Sequence, residues 1–309
     1  MIETDSGVEE DRPLSARSDD GHRRKRKLLL WLVNILTWMW VCANPAASLE
    51  TISASSDVTI DLGTSVIVAD EDVAVDDQMG IVVAADLGAL PVETDVIALG
   101  HDANGDRLIA FGTTTALAGG VVARPGDVVR YDGSAYSIEF DARASGLPSG
   151  VVTDATSLAA NGLLLSFDTT VDLGGGLIVA NEDLVTWDGS GFSLLFDGSS
   201  EGVEPALNAD AAQDLGGGIL LMSFDTTGEV AGLVFNDEDV LRFDGTNWNL
   251  EFDGSAADSA WVAADLDAIM VPEAERWLML GGGLILLASS GGRSSRTHLQ
   301  PFNAAHNVR

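Results

Sequence analysis

A unit of about 56 residues repeats through the middle of this chain, and no other feature restricts its folding so strongly. The clearest copy contains Asp214-Leu-Gly-Gly-Gly-Ile-Leu-Leu-Met-Ser-Phe-Asp225, Val234-Phe-Asn-Asp-Glu-Asp-Val-Leu-Arg-Phe-Asp-Gly245 and Trp248-Asn-Leu-Glu-Phe-Asp253. The copy before it contains Gly162-Leu-Leu-Leu-Ser-Phe-Asp168, Val179-Ala-Asn-Glu-Asp-Leu-Val-Thr-Trp-Asp-Gly189 and Phe192-Ser-Leu-Leu-Phe-Asp197. Four series of aspartates keep the period: Asp72, Asp127, Asp183, Asp239; Asp77, Asp132, Asp188, Asp244; Asp86, Asp141, Asp197, Asp253; and Asp95, Asp154, Asp210, Asp265. A period kept while the intervening sequence drifts marks one supersecondary unit that stacks on copies of itself.

The unit is made of strands. Its apolar runs are short, as in Leu108-Ile-Ala-Phe111, Leu163-Leu-Leu165 and Ile219-Leu-Leu-Met222, and Gly, Asp and Asn punctuate them. Asp132-Gly133, Asp188-Gly189 and Asp244-Gly245 are hairpin signals. Each copy supplies four segments. A begins at the fourth aspartate series, B ends in Phe111, Phe167 or Phe224, C runs into the Asp-Gly turn, and D ends in Phe140, Phe196 or Phe252. The first copy, from Asp57, has B, C and D without an obvious A, and a lone A follows the last copy at residues 261–269. The total is four of each. The spacing therefore predicts an all-β repeat protein, a four-bladed β-propeller with four strands per blade. Closure into a ring protects sheet edges that an open stack of the same units would leave bare. An open repeat structure or a sandwich would also satisfy the period. The blade phase stays open: either B-C-D-A in sequence, or the terminal A closing the first blade.

Charge narrows the function. Acidic residues number 48 against 16 Lys and Arg, a net charge of −32, and both lysines lie near the N-terminus. That excludes a nucleic-acid surface, which needs clustered cations. The one cysteine, Cys42, precedes the repeats, so they carry no disulfide. His101 is the only histidine between His22 and His298, so neither a nucleophile–base pair nor a histidine-rich zinc site can be assembled. Hard oxygens gather before strand C at Asp70-Glu-Asp72, Asn181-Glu-Asp183 and Asn236-Asp-Glu-Asp239. Asp70, Asp72, Asn181, Asp183, Asp237 and Asp239 are candidate calcium ligands there, in competition with plain turn capping by Asp side chains. Asp102-Ala-Asn-Gly-Asp106 has the spacing with which a calcium loop starts but lacks the rest of that loop, and reads as a hairpin turn. Tyr131, Trp187, Phe243 and Trp248 fit core packing or a sugar-stacking face.

The chain ends carry an address. Residues 1–21 are polar and acidic; His22-Arg-Arg-Lys-Arg-Lys27, the apolar run from Leu28 to Val41 and the small residues Ala43, Ala46, Ala47 and Ser48 have the layout of a secretory signal. An uncleaved anchor is the alternative. At the other end, Val271-Pro-Glu-Ala-Glu-Arg-Trp-Leu-Met-Leu-Gly-Gly-Gly-Leu-Ile-Leu-Leu-Ala288 leaves the repeat pattern, and Arg293 and Arg296 follow. This stretch resembles the PEP-CTERM sorting signal of exported Gram-negative bacterial proteins, with Pro272 and Glu273 on the first two motif positions and Ala274 in place of the second proline. The resemblance implies an exosortase as a partner and transient membrane association. The repeats also look like an Asp-Gly-rich unit of exported bacterial proteins, which implies no activity.

The expected organisation is a leader and signal at 1–48, a four-repeat β domain at 49–270, a sorting signal at 271–296 and a polar tail at 297–309. The expected role is an exported cell-surface or extracellular-matrix structural or binding protein, not an enzyme, with extracellular polysaccharide as a candidate partner. The alternative is a secreted carbohydrate-active enzyme on a small propeller. An asymmetric pocket with two close carboxylates would favour the enzyme.

Overall fold

A computed structural model describes residues 51–271, apart from 64, 65, 78–81, 86 and 93. The leader, the secretory signal, the Pro272-Glu273 motif and Asp86 lie outside the described residues. Among the described residues no helix is long and apolar enough to cross a membrane.

The repeats form a four-bladed β-propeller. Each blade is a four-stranded antiparallel sheet in the order A-B-C-D. The second blade comprises Val96–His101, Arg107–Phe111, Val128–Tyr131 and Tyr136–Phe140. The third comprises Thr153–Ala159, Gly162–Phe167, Leu184–Trp187 and Phe192–Phe196. The fourth comprises Ala209–Gly216, Ile219–Phe224, Val240–Phe243 and Trp248–Phe252. The first takes its A strand, Ala268–Met270, from the far end of the chain and adds Ile52–Ser55, Ala74–Asp76 and Val82–Ala84. The terminal A closes the first blade: Ser53 pairs with Met270, Ala54 with Ile269 and Ser55 with Ala268. The four A strands touch one another and surround the axis.

Two readings of the sequence are corrected. Strand B of the first blade precedes Asp57, because Ser56 stands where later copies have Phe and so hides the pattern. Residues 261–263 are a 3-10 turn, and the closing strand starts only at Ala268. The unit also holds more than four strands. Between B and C each copy inserts a two-stranded ribbon, such as Val171–Asp172 with Ile178–Val179, turned by Gly174-Gly175-Gly176, all at positive φ. Val66-Ile-Val68 belongs to the equivalent ribbon of the first copy.

Packing follows the seams. Four buried apolar clusters form, one between each pair of neighbouring blades. Strand B is buried on both faces, which explains its continuous apolar runs: Leu108 to Phe111 and Leu163 to Phe167 contain no exposed residue. The aromatics join at the seams too. Trp187 meets Phe140 of the preceding blade edge-on at 5.0 Å, and Phe243 meets Phe196 at 5.4 Å. These rings therefore pack into the core at the seams.

Candidate functional site

Three aspartate series are turn hardware. Asp132, Asp188 and Asp244 each accept two backbone N–H bonds within their own Asp-Gly turn, for example from Ser190 and Gly191 at 2.8 and 2.9 Å. Asp141, Asp197 and Asp253 cap the turns after strand D. Asp127, Asp183 and Asp239 use both oxygens, one on the turn before strand C and the other on the second residue after strand D. Asp183 thus accepts from Ala180 at 2.9 Å and from Gly198 at 2.8 Å.

Of the candidate calcium ligands read from the sequence, Asp72, Asp183 and Asp239 belong to this capping series. They sit in separate blades and are not brought together. Asp70, Asn181 and Asp237 occupy the seams, where their backbone carbonyls accept from Val96, Ala209 and Leu266 at the start of the next A strand. Replacing Asp183 by Ala should leave the buried N–H of Gly198 and the part-buried N–H of Ala180 without partners and cost about 2–3 kcal/mol, read as a lower urea midpoint. Asp188→Ala, in an exposed turn, should lower it less. Equal losses would refute the bridging role.

The fourth series builds the site, though not as the period predicts. The A strands of the second, third and fourth blades bulge near their starts. The register skips Ile97, Asp154 and Asp210, and Asp267 takes the same place by its spacing from Ala268. Two residues earlier the equivalent positions are Asp95, Val152, Asn208 and Asp265, whose carbonyls all accept from the residue after strand B. Sequence alignment put Asp95, Asp154, Asp210 and Asp265 on one level; the structure splits them over two. The consequence is crowding. Asp154, Asp210 and Asp267 ring the axis on the bulge level, with Asp265 and Asp95 beside them. A third tier, Asp57, Asp168 and Asp225, accepts the N–H of Asp265, Val152 and Asn208. Gly112 stands in the fourth place of that tier, where any Cβ would collide with the Asp95 carboxylate.

Most of these residues, without Asp57 and Asp95, line an open cavity of about 330 Å³ at one end of the axis. Among the described residues its lining includes Ile97, Val152, Asn208 and six aspartates, but no aromatic ring and no arginine. Carboxylate oxygens of Asp210, Asp265 and Asp267 lie within 4.8 Å of one another. Asp210 is 6% exposed. One oxygen of Asp210, one of Asp265 and the amide oxygen of Asn208 are buried without a partner. The Asn208 amide donates to Asp154 at 2.9 Å. Burial, and then neighbouring carboxylates, drive the protonation equilibria upward: Asp267 to about 8, Asp265 to about 7, and Asp210 well above the ordinary range. Burial also lifts Asp154 to about 7, against the Asn208 hydrogen bond.

The opposite end of the axis is a latch. Gln213 accepts the N–H of Val271 at 2.6 Å and donates to its carbonyl at 3.2 Å, and the His101 ring lies 3.1 Å from the same carbonyl. His101, the one histidine among the described residues, is thus placed away from the carboxylates, on the last residues of the closing strand. The Asp102 loop is the A–B hairpin turn, its carboxylate capping Asn104 and Asp106.

No family model and no curated protein matches this chain. Among solved structures, it is similar to a protein of unknown function from Bacteroides caccae, at 8% identity and a TM-score of 0.29, over 65% of this chain and 57% of that one. It is also similar to YCF48 bound to a D1 peptide, at 12% identity and a TM-score of 0.25, over 67% and 73% of the two chains.

Proposed function

We propose that this chain is an exported cell-surface or extracellular-matrix protein with a structural or binding role. Its propeller is delivered through the N-terminal signal and processed by an exosortase at the Pro272-Glu273 signal. Extracellular polysaccharide is the partner class that suits such a location. The observation supporting a binding role is the chemistry of the axial cavity. Among the described residues its polar side chains are six carboxylates and the Asn208 amide, a donor set suited to a positively charged ligand. To test the export reading, the chain is produced in cells with and without an exosortase and the C-terminal peptide of the mature protein is sequenced. Residues 277–309 should be lost only where the protease is present; their equal persistence in both would refute the sorting role.

One observation favours a second reading, glycoside hydrolysis. Three carboxylate oxygens lie within 4.8 Å, and burial keeps some of these groups protonated near neutral pH, as a general acid requires. Hydrolysis of a polysaccharide by the purified chain, lost in Asp210→Asn, would establish this reading over the first.

A further inference from the structure

We propose that the axial cavity is a binding site for a divalent cation of the calcium class, and that the bound ion fastens the closing strand to the third and fourth blades. The proposal rests on reading the cavity as a binding site and specifies its ligand.

The donor set selects the ion. Asp154, Asp210, Asp265, Asp267 and Asn208 offer only hard oxygens, which suit calcium or magnesium and not the softer metals that seek nitrogen or sulfur. Coordination habit then favours calcium, which accepts six to eight oxygens in flexible geometry, whereas magnesium demands a near-ideal octahedron and keeps several of its waters. The oxygens of Asp210, Asp265 and Asp267 lie within 4.8 Å of one another, close enough to share one ion. The cavity, at about 330 Å³, also leaves room for coordinated water.

Acidic clusters are common on surfaces without any ion, so the burial of this one carries the argument. Asp210 is 6% exposed, and its Oδ2 finds no hydrogen-bond donor. The same holds for Asp265 Oδ1 and Asn208 Oδ1, both buried. Buried polar oxygens are normally satisfied, and an unpaired buried carboxylate is costly. Three such oxygens around one cavity, with no arginine or lysine in the lining, call for a cation from outside. Asp70 and Asp237, at the adjoining seams, add their charge to the field on Asp95 and Asp265.

Origin in the chain gives the ion its role. Asp265 and Asp267 belong to the closing segment, Asp210 to strand A of the fourth blade with Asn208 just before it, and Asp154 to strand A of the third. Without a cation these carboxylates repel at the joint where the ring is shut. With one, the same groups hold it closed.

The test uses the full chain at pH 7.5, titrated with calcium or with matched magnesium. Calcium should bind with a stoichiometry of one and raise the melting temperature more than magnesium does. It should also slow amide exchange at Ala268–Val271 at least tenfold. The double variant Asp265→Asn/Asp267→Asn should fold, bind calcium at least tenfold more weakly and lose the exchange effect. Asp132→Asn/Asp188→Asn, an equal charge change in capping turns, should keep both responses. If the double variant does not fold, Asp210→Asn alone must show the loss. Equal responses to the two metals, or an undiminished calcium response in the axial variant, would overturn the proposal. Such failure leaves the export reading untouched, since that stands on C-terminal processing.

Discussion

A chain ending at Ser259 should lose its cooperative unfolding transition. Such a truncation removes Trp261, Leu266, Ala268, Ile269, Met270 and Val271, all buried at the two seams of the first blade. Fully burying a large apolar side chain contributes about 1.5–3 kcal/mol, so the five large residues account for roughly 10 kcal/mol. Whole domains are typically stable by about 5–15 kcal/mol. The loss also strips strand Ile52–Ser55 of its partner and opens an unprotected edge toward the axis. Circular dichroism during urea titration measures it. A sigmoidal transition within a few tenths molar of the intact protein would show that closure is dispensable. Gln213→Leu should give a milder version, because Val271 then loses both of its bonds to that amide.

Stripped of divalent cations, the propeller should be more stable near pH 5 than near pH 8. Asp154 and Asp265 titrate at about 7 and Asp267 at about 8 in the folded state, against an ordinary 3.8. A carboxyl raised in this way contributes stability that is present in full below 3.8 and is lost as pH climbs through its folded value. For Asp154 alone the whole change is about 4 kcal/mol, from 1.36 kcal/mol per pH unit. The capping groups oppose this at low pH. Hydrogen bonds hold Asp132, Asp188 and Asp244 below the ordinary range, so their contribution is present above 3.8 and fades as pH falls further. The optimum therefore lies between the two regimes. Melting temperatures in chelator from pH 4 to pH 9 test the profile, and a stability that rises steadily to pH 8 would contradict it. Asp267→Asn should flatten the alkaline limb.

The blade count was legible because Asp-Gly turns and the B-strand Phe mark the second, third and fourth copies, and because the terminal A balances the missing one. The ribbons were not legible. Each uses two or three residues per strand, too few for alternation to register, and only the Gly174-Gly175-Gly176 run gave a hint of a turn between B and C. The site was half legible. Its residues stood out as a series, yet the bulge moves Asp154 and Asp210 onto a level with Asp267 and leaves Asp95 and Asp265 behind. A bulge adds a residue without a sequence signature of its own, so alignment by period cannot detect the slip. The sequence placed hard-oxygen chemistry on the turns before strand C, where backbone N–H groups claim those carboxylates.

Closure by antiparallel partners also sets how the ring answers to force. Ser53 faces Met270, so the chain enters and leaves the propeller side by side at one end of the first blade. A pull between the two termini peels that strand pair apart one rung at a time, the geometry in which hydrogen bonds resist least. The Gln213 and His101 contacts to Val271 bear the first load. The carboxylates of Asp265 and Asp267, a strand's length away at the opposite end, are reached last, so an ion held there would act as the final stop before the ring opens.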